Sequence, residues 1–413
     1  MKRYPKYKDS GVEWIGEVPE QWEVKRLKFL AKNVNEQTNT KKQDEIYIAL
    51  ENVESWTGRI SPQDNEITFE SQAKCFCSND ILFGKLRPYL AKVARPNKSG
   101  VCVGEFLVLR VLDNEVLPEF LEQKLRSQWF IELVNSSTFG AKMPRADWTF
   151  ISNVKLTYPS PKEQNHIASY LDHKTRLIDT LIEKKQKLVE LLQEQRTALI
   201  SHAVTKGLNP KTKMKDTGIE WLGKVPEHWA TASLRWYLRI GSGEFLSNND
   251  FLTEASDQKN IPVIGGNGVM GYTSKTNIQE PTIAIGRVGA LCGNVHLVNP
   301  PAWITDNALR LSNIKDFLID YLSLFLGVLD LNRLANQNAQ PLITGSMIKS
   351  QKVPIPPIPE QKDILQYCSK FSQTIDHGIN TLHKQIAVLQ EYRTTLISDV
   401  VTGKIDVRDE VIP

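Results

Sequence analysis

The two longest regular patterns in the chain are helical. Between about residues 162 and 205 there is neither Pro nor Gly, and Leu171, Ile178, Leu192 and Leu199 fall on a seven-residue register, with Ile182 and Val189 each four residues beyond a position of that register. A second segment repeats it, with Cys368, Ile375, Leu382, Leu389 and Leu396 on the seam and Ile379 and Ile386 beside it. An apolar stripe sustained over heptads predicts a coiled coil. At 1.5 Å rise per residue, about 40 residues make a rod of roughly 60 Å, long for a helix lying on its own domain. Lys174 and Lys185 interrupt the first stripe, and Gly378 sits inside the second at a cost of about 1 kcal/mol relative to Ala. Each helix therefore gains by packing on the other. The chain order permits this if the helices run antiparallel with a globular insert at each end, a dumbbell with approximate two-fold symmetry.

The inserts show shorter, β-like runs: Ile46 to Leu50, Val101 to Val103 and Phe106 to Val111 in the first, and Ile261 to Ile264 and Thr282 to Ile285 in the second. Apolar residues return at three and four over Pro118 to Val134 and Phe317 to Leu334, predicting helices there. The expected class is α+β, two globular domains separated by two long helices. Pro159 and Pro161, and Pro354, Pro356, Pro357 and Pro359, stop helix from running back into the inserts.

Self-similarity fixes the order of these parts. Asp9-Ser10-Gly11-Val12-Glu13-Trp14-Ile15-Gly16-Glu17-Val18-Pro19-Glu20-Gln21-Trp22 recurs as Asp216-Thr217-Gly218-Ile219-Glu220-Trp221-Leu222-Gly223-Lys224-Val225-Pro226-Glu227-His228-Trp229. Glu194-Gln195-Arg196-Thr197-Ala198-Leu199-Ile200-Ser201 recurs as Glu391-Tyr392-Arg393-Thr394-Thr395-Leu396-Ile397-Ser398, and each helix opens near a Glu-Gln pair, Glu163-Gln164 and Glu360-Gln361. Between these matches, Phe29 to Val154 has no convincing alignment to Trp236 to Gln351. A fixed frame carrying variable inserts suits a molecule that presents two different readers in one mount.

Composition narrows the function less than the repeat does. Lys and Arg exceed Asp and Glu by only 51 to 47, so net charge does not by itself indicate a nucleic-acid partner, and local clustering must decide. No segment has signal-peptide or membrane-span character, so a cytoplasmic protein is expected, with no membrane partner. Cys75 and Cys77 lack a second pair or nearby histidines; buried or strand-face thiols are the expectation rather than a metal site.

Two motifs resemble enzyme signatures. Gly266-Asn267-Gly268-Val269-Met270-Gly271 matches G-x-G-x-x-G, but Tyr272-Thr273-Ser274-Lys275-Thr276-Asn277 is a poor helix, and a pyrophosphate needs the N-terminus of one. Asn299-Pro300-Pro301-Ala302-Trp303 approaches the N-P-P-[YF] loop of adenine methyltransferases, but Ala302 stands where an aromatic must stack on the flipped base. The region Thr402-Gly403-Lys404-Ile405 lacks the first glycine and the hydroxyl of a phosphate-binding loop. No catalytic apparatus, metal set or cofactor site is expected in this chain.

The clearest functional signal is residues 83 to 98, which hold five cations, Lys85, Arg87, Lys92, Arg95 and Lys98, and no acid, with Tyr89 among them. Lys142 and Arg145 form a second basic loop. In the second insert Asn267, Arg287 and Asn307, with Asn336, Gln337, Asn338 and Gln340, make a sparser set. Arg can bond guanine, and Asn or Gln adenine, in bidentate fashion, each good pair giving about 1 to 3 kcal/mol of discrimination. Double-stranded DNA is the expected ligand of these residues; a solvated basic face is the alternative for the first run.

The paired G-[VI]-E-W-[IL]-G-x-V-P-E-x-W segments, the P-x-x-x-E-Q lead-ins, the E-x-R-T-x-L-I-S helix ends and the A-B-A-B order resemble the specificity subunit of type I restriction-modification systems, which serve host defence, over the whole chain. The resemblance implies target recognition domains at 1–157 and 208–354, conserved helical spacers at 158–207 and 355–413, and an antiparallel coiled coil. It further implies docking of two modification subunits, which bind S-adenosylmethionine and methylate adenine, and of restriction subunits with nuclease and ATP-driven translocase activity, so S-adenosylmethionine, ATP and Mg belong to the partners. Two readers on a rod would recognise an asymmetric, bipartite site, with half-sites about one turn, roughly 10 bp, apart. The first insert has G-K-L-R-P-Y where the second has G-R-V-G-A, so a contact in one does not transfer to the other. The competing classes are a free-standing bipartite DNA-binding regulator, distinguished by the absence of neighbouring methyltransferase and helicase-nuclease genes, and a self-sufficient methyltransferase, distinguished by methyl transfer by the purified chain.

Overall fold

In a computed structural model, which describes residues 2–12, 15–61, 72–140, 142–335 and 341–412, both heptad patterns form continuous helices. The helices in chain order are α1 (Pro118–Arg126), α2 (Gln128–Ser136), α3 (Trp148–Asn153), α4 (Pro161–Lys206), α5 (Ile319–Val328), α6 (Gly345–Lys349) and α7 (Ile358–Val401). The chain divides into two compact units, residues 1–186 with 383–413, and residues 187–382. Both units are α+β, and α4 and α7 link them.

In the first unit, an antiparallel sheet has the order Ala31–Val34, Phe106–Val111, Ile81–Gly84, Val93–Ala94. Alternate residues enter two different cores: Ile81, Phe83, Leu107 and Leu109 pack with Phe120 and Phe130 of α1 and α2, while Leu82, Phe106 and Val108 pack with Ile48 and Phe76. A strand buried on both faces needs no polar alternation, which explains the unbroken apolar run at 106–109. The second sheet has the order Gln37–Thr38, Ala73–Phe76, Gly100–Cys102, Ile46–Ile48, with the last pair parallel. The strand expected to reach Leu50 ends at Ile48, where a 3₁₀ turn begins at Leu50. The helix expected from Pro118 to Val134 is broken at Ser127, whose extended backbone (ψ 146°) separates α1 from α2 and whose hydroxyl donates to the Lys124 carbonyl at 2.6 Å.

The second unit contains a sheet of the same order, Arg239–Ser242, Ala308–Ser312, Thr282–Gly286, Val295–Val298. Its other sheet runs Phe251–Leu252, Gly268–Thr273, Ile261–Gly265, Trp303–Ile304. Here Ile261–Gly265 is internal, whereas Ile46–Ile48, which holds the corresponding place in chain order, is an edge strand. The helix expected over Phe317 to Leu334 is α5 followed by a 3₁₀ turn at Leu331–Leu334.

The repeated segments build one joint in each unit. Tyr7–Asp9 pairs with Glu17–Pro19, and Met214–Asp216 with Lys224–Pro226. Gly11 and Gly16, like Gly218 and Gly223, take φ between 60° and 67°, a conformation glycine adopts without steric cost. Glu13 and Trp14 lie outside the described residues. Trp22 and Trp229 are wholly buried, and their indole N–H groups donate to Glu163 (3.1 Å) and Glu360 (2.8 Å) at the start of α4 and α7. The adjacent Gln164 and Gln361 are also fully buried. Gln164 accepts from the Leu117 N–H and donates to the Glu115 and Pro159 carbonyls; Gln361 accepts from the Leu318 N–H and donates to the Asp316 and Pro356 carbonyls, all at 2.7 to 2.9 Å.

Within the first unit, α4 packs on α7 in antiparallel fashion, since Asp179 meets Arg393 and Lys185 meets Gln385. Leu171, Ile178, Ile182, Ile386 and Leu396 are buried there, and Leu389 is half-buried. Lys185 does not break the seam: it is half-buried and donates to Gln385 Oε1 at 2.6 Å, while Lys174 Nζ lies 5.6 Å from the Tyr170 ring centre. Within the second unit, Val189, Cys368, Ile375 and Leu382 are buried, Leu192, Leu199 and Ile379 half-buried, and Arg196 meets Asp376. Gly378 stands beside Leu192, 3.9 Å from where a Cβ would lie.

One buried amine has no counterpart in the sequence expectations. Lys124 is 1% exposed; its Nζ donates to Thr157 Oγ1 (2.5 Å) and the Val401 carbonyl (2.6 Å) and lies within 5.8 Å of the ring centres of Trp22, Phe120 and Trp129. Burial pushes its pKa well below the ordinary lysine value. Below that ordinary value the unfolded chain therefore takes up a proton that the folded chain refuses, so this group lowers stability as pH falls and restores it as pH rises. In denaturation curves recorded as pH rises toward the ordinary lysine value of about 10.5, wild type should gain stability relative to Lys124→Met. Parallel curves would show that the amine stays charged. In the second unit the matching helix-end carbonyl, that of Val204, receives the Tyr321 hydroxyl at 2.9 Å.

Candidate nucleic-acid interface

In the first unit, the end of strand Ile81–Gly84 is stitched to the loop between α2 and α3. The Lys85 N–H donates to the Glu105 carbonyl, the Ala146 N–H to the Lys85 carbonyl and the Arg87 N–H to the Pro144 carbonyl, at 2.8 to 2.9 Å, and Leu86 bridges to Arg145. Arg87 has φ 50°, a left-handed conformation unusual for a side-chain-bearing residue, as the chain enters the Pro88–Leu90 turn. Two loops distant in sequence thus carry Lys85, Arg87, Tyr89, Lys142 and Arg145 together. Lys85 is half-buried, Arg87, Tyr89 and Lys142 are exposed, and none of the three cations has a side-chain ion partner among the described residues. Phe139, 77% exposed, and Met143 flank Lys142.

The run of five cations is not uniformly free. Lys92 Nζ donates to the Leu50 carbonyl at 2.6 Å, and Arg95 is held by Glu119 (3.1 Å), Glu122 (3.3 Å) and Asn79 (2.5 Å). Both were expected to face DNA; their charged ends bond groups of their own unit. Arg145 also has a partner, since its Nε and Nη2 form a two-pronged pair with Glu105 at 3.3 and 3.0 Å.

The second unit repeats the stitching with other side chains. The Arg287 N–H donates to the Asn307 carbonyl (3.1 Å), the Ile343 N–H to the Arg287 carbonyl (2.9 Å) and the Gly289 N–H to the Pro341 carbonyl (3.0 Å), and Val288 bridges to Leu342. Lys85 and Arg287 therefore hold equivalent places, as do Glu105 and Asn307, and Arg145 and Leu342. The shared sequence signal is faint, a glycine and then a cation after a buried apolar strand. Asn267 sits at the tip of the hairpin joining Ile261–Gly265 to Gly268–Thr273 and accepts from Asn294 Nδ2 at 2.8 Å. A Cβ at Gly286 would lie 2.2 Å from the Gly266 carbonyl oxygen, and one at Gly266 3.2 Å from that of Asn307, so glycine lets these segments approach. The packing gathers Asn267, Arg287 and Asn307. Asn336, Gln337, Asn338 and Gln340 lie outside the described residues.

The enzyme-like motifs take other forms. The G-x-G-x-x-G segment is that hairpin, and strand Gly268–Thr273 occupies the place of the required helix. Ala302 is wholly buried, and Trp303 is half-buried with its N–H on the Glu244 carbonyl at 3.1 Å. Cys75 lies half-buried in a strand, Cys102, Cys292 and Cys368 are buried, and Cys77 is exposed just beyond its strand. No group of His, Cys, Asp and Glu among the described residues is placed to hold a metal, and no helix among them is long and apolar enough to cross a membrane.

Two α+β units with equivalent polar loops, linked by two long helices, define a binding protein with two similar surfaces. The family model described as the type I restriction modification DNA specificity domain matches residues 19–191 and 226–386, so the chain belongs to that family, as a non-catalytic DNA-sequence specificity subunit. It is 23% identical over 430 residues to the type I restriction enzyme MjaIX specificity subunit of Methanocaldococcus jannaschii, covering 96% of each chain. Its fold is similar to a chain in a solved assembly of the type I R-M system, with a TM-score of 0.75 at 18% identity over 94% of this chain and 99% of that one. The HsdS subunit from Thermoanaerobacter tengcongensis gives a TM-score of 0.53 at 18% identity, over 94% and 98%.

Proposed function

We propose that this specificity subunit reads an asymmetric, bipartite DNA site through two target recognition domains, residues 1–157 and 208–354, carried by helical spacers at 158–207 and 355–413. The observation that carries this reading is the pair of identically stitched loop sets bearing different side chains: Lys85, Arg87, Tyr89, Lys142 and Arg145 in one, Asn267, Arg287 and Asn307 in the other. A common backbone frame with unlike polar groups suits two unlike half-sites. Two modification subunits dock on the chain and bring S-adenosylmethionine, restriction subunits bring the ATP- and Mg-dependent machinery, and the complex works in the cytoplasm.

The test is charge reversal at the free cations. Lys85→Glu with Arg87→Glu should weaken DNA binding and flatten the log-log salt dependence by about 0.9 for each phosphate that is no longer neutralised. Arg95→Gln, at a cation already neutralised by Glu119 and Glu122, should leave the slope unchanged. If the double reversal leaves affinity and slope intact, these loops are not the DNA-facing surface.

A further inference from the structure

We infer that Glu105 is a positioning residue that aims Arg145 at a guanine, and that the equivalent Asn307 reads a base directly in the other half-site. The inference rests on the reading that these loops face DNA. A guanidinium offers two bidentate edges, one formed by Nε with a hydrogen of Nη2, the other by Nη1 with the remaining hydrogen of Nη2. Glu105 occupies the first, through Nε to Oε2 at 3.3 Å and Nη2 to Oε1 at 3.0 Å. The second edge has no protein acceptor among the described residues, and the Arg145 side chain is 53% exposed. That free edge presents two parallel donors, the pattern that matches guanine O6 and N7.

The ion pair is held at both ends by backbone. Arg145 exchanges both backbone hydrogen bonds with Phe139, and the Glu105 carbonyl receives the Lys85 N–H at 2.9 Å. The carboxylate thus orients the guanidinium without covering its reading edge.

In the second unit the same frame carries a different chemistry. Leu342 stands where Arg145 does, so there is no guanidinium to orient, and Asn307 stands where Glu105 does. The Asn307 side chain is exposed and makes no hydrogen bond among the described residues. A free carboxamide at this place offers the donor and acceptor that match adenine N7 and N6. One position, 105 in the first unit and 307 in the second, therefore decides whether a half-site is read through an aimed arginine or by an amide.

The test is selection of duplexes from a randomised library by the full chain assembled with its modification subunits. Wild type should require a G·C pair in one half-site and an A·T pair in the other. Glu105→Gln and Arg145→Lys should each reduce discrimination at the same G·C pair by about tenfold or more, with the other positions and the salt slope unchanged. Asn307→Ala should do so at the A·T pair alone. Arg145→Lys keeps the charge and so decides the matter even if Glu105→Gln impairs folding, which thermal unfolding would reveal. If both first-unit variants weaken binding to all sequences alike and flatten the salt slope, Arg145 holds phosphate and the inference falls while the loops remain the DNA surface. If neither these variants nor Lys85→Glu with Arg87→Glu alters affinity or preference, the location of the interface itself is wrong.

Discussion

Arg393→Met should cost about 3 kcal/mol, the lower end of the range for stranding one member of a buried ion pair, whereas Arg196→Met should cost less than about 1 kcal/mol. The two arginines occupy the same place in the repeated E-x-R-T segments, and so do their partners, Asp179 and Asp376, in the two helices. Their surroundings differ. The Arg393 and Asp179 side chains are 8% and 15% exposed, against 41% and 50% for Arg196 and Asp376. Arg393 also engages Asp179 through Nε (2.8 Å) and Nη2 (3.3 Å) and the Trp56 carbonyl through Nη1 (3.0 Å). Removing it strands a largely buried carboxylate and carbonyl, and Arg59, 3.5 Å from Asp179, compensates only in part. Equal losses in chemical denaturation would show that burial does not set the strength of these pairs.

Trp22→Ala should cost about 3 to 5 kcal/mol, the usual loss for emptying a buried aromatic site. The indole packs edge-on against Tyr4 and Phe120 and under Lys124, so its removal opens the core where the first strands meet α1 and α4. Trp22→Phe should cost much less, because most of the ring volume remains and Glu163 keeps its 2.7 Å bond from the Tyr4 hydroxyl. Denaturation of the pair separates packing from hydrogen bonding. If Phe is as damaging as Ala, the bond to Glu163 dominates. In the Ala variant, amide exchange should accelerate first in the sheet of the first unit.

The long helices were legible because two independent signals agreed: heptad spacing, and a Pro-free stretch of chain. The charged seam positions were not, since Arg196 and Arg393 resemble breaks in an apolar stripe until Asp376 and Asp179 on the facing helix are known. Ser127 gave no warning of the break between α1 and α2, having neither the fixed φ of proline nor the freedom of glycine. Lys92 and Arg95 looked free because their partners, Leu50, Glu119 and Glu122, lie more than twenty residues away. The partners of Lys124, Thr157 and Val401, are likewise distant in sequence. The equivalence of Lys85 with Arg287 rests on backbone hydrogen bonds, which leave little trace in side-chain identity, and the different strand order of the second sheets removes any simple alignment.

The buried glutamines at the helix starts bear on how such a molecule can change. Gln164 and Gln361 grip only main-chain atoms of the segments they receive, so Glu115 in one unit and Asp316 in the other satisfy the same grip. A glutamate there could not donate to two carbonyls, but almost any residue can supply the carbonyl. The joint constrains its own side chain tightly and its cargo loosely. A segment of different sequence can therefore be seated at either joint without rebuilding the frame that carries it.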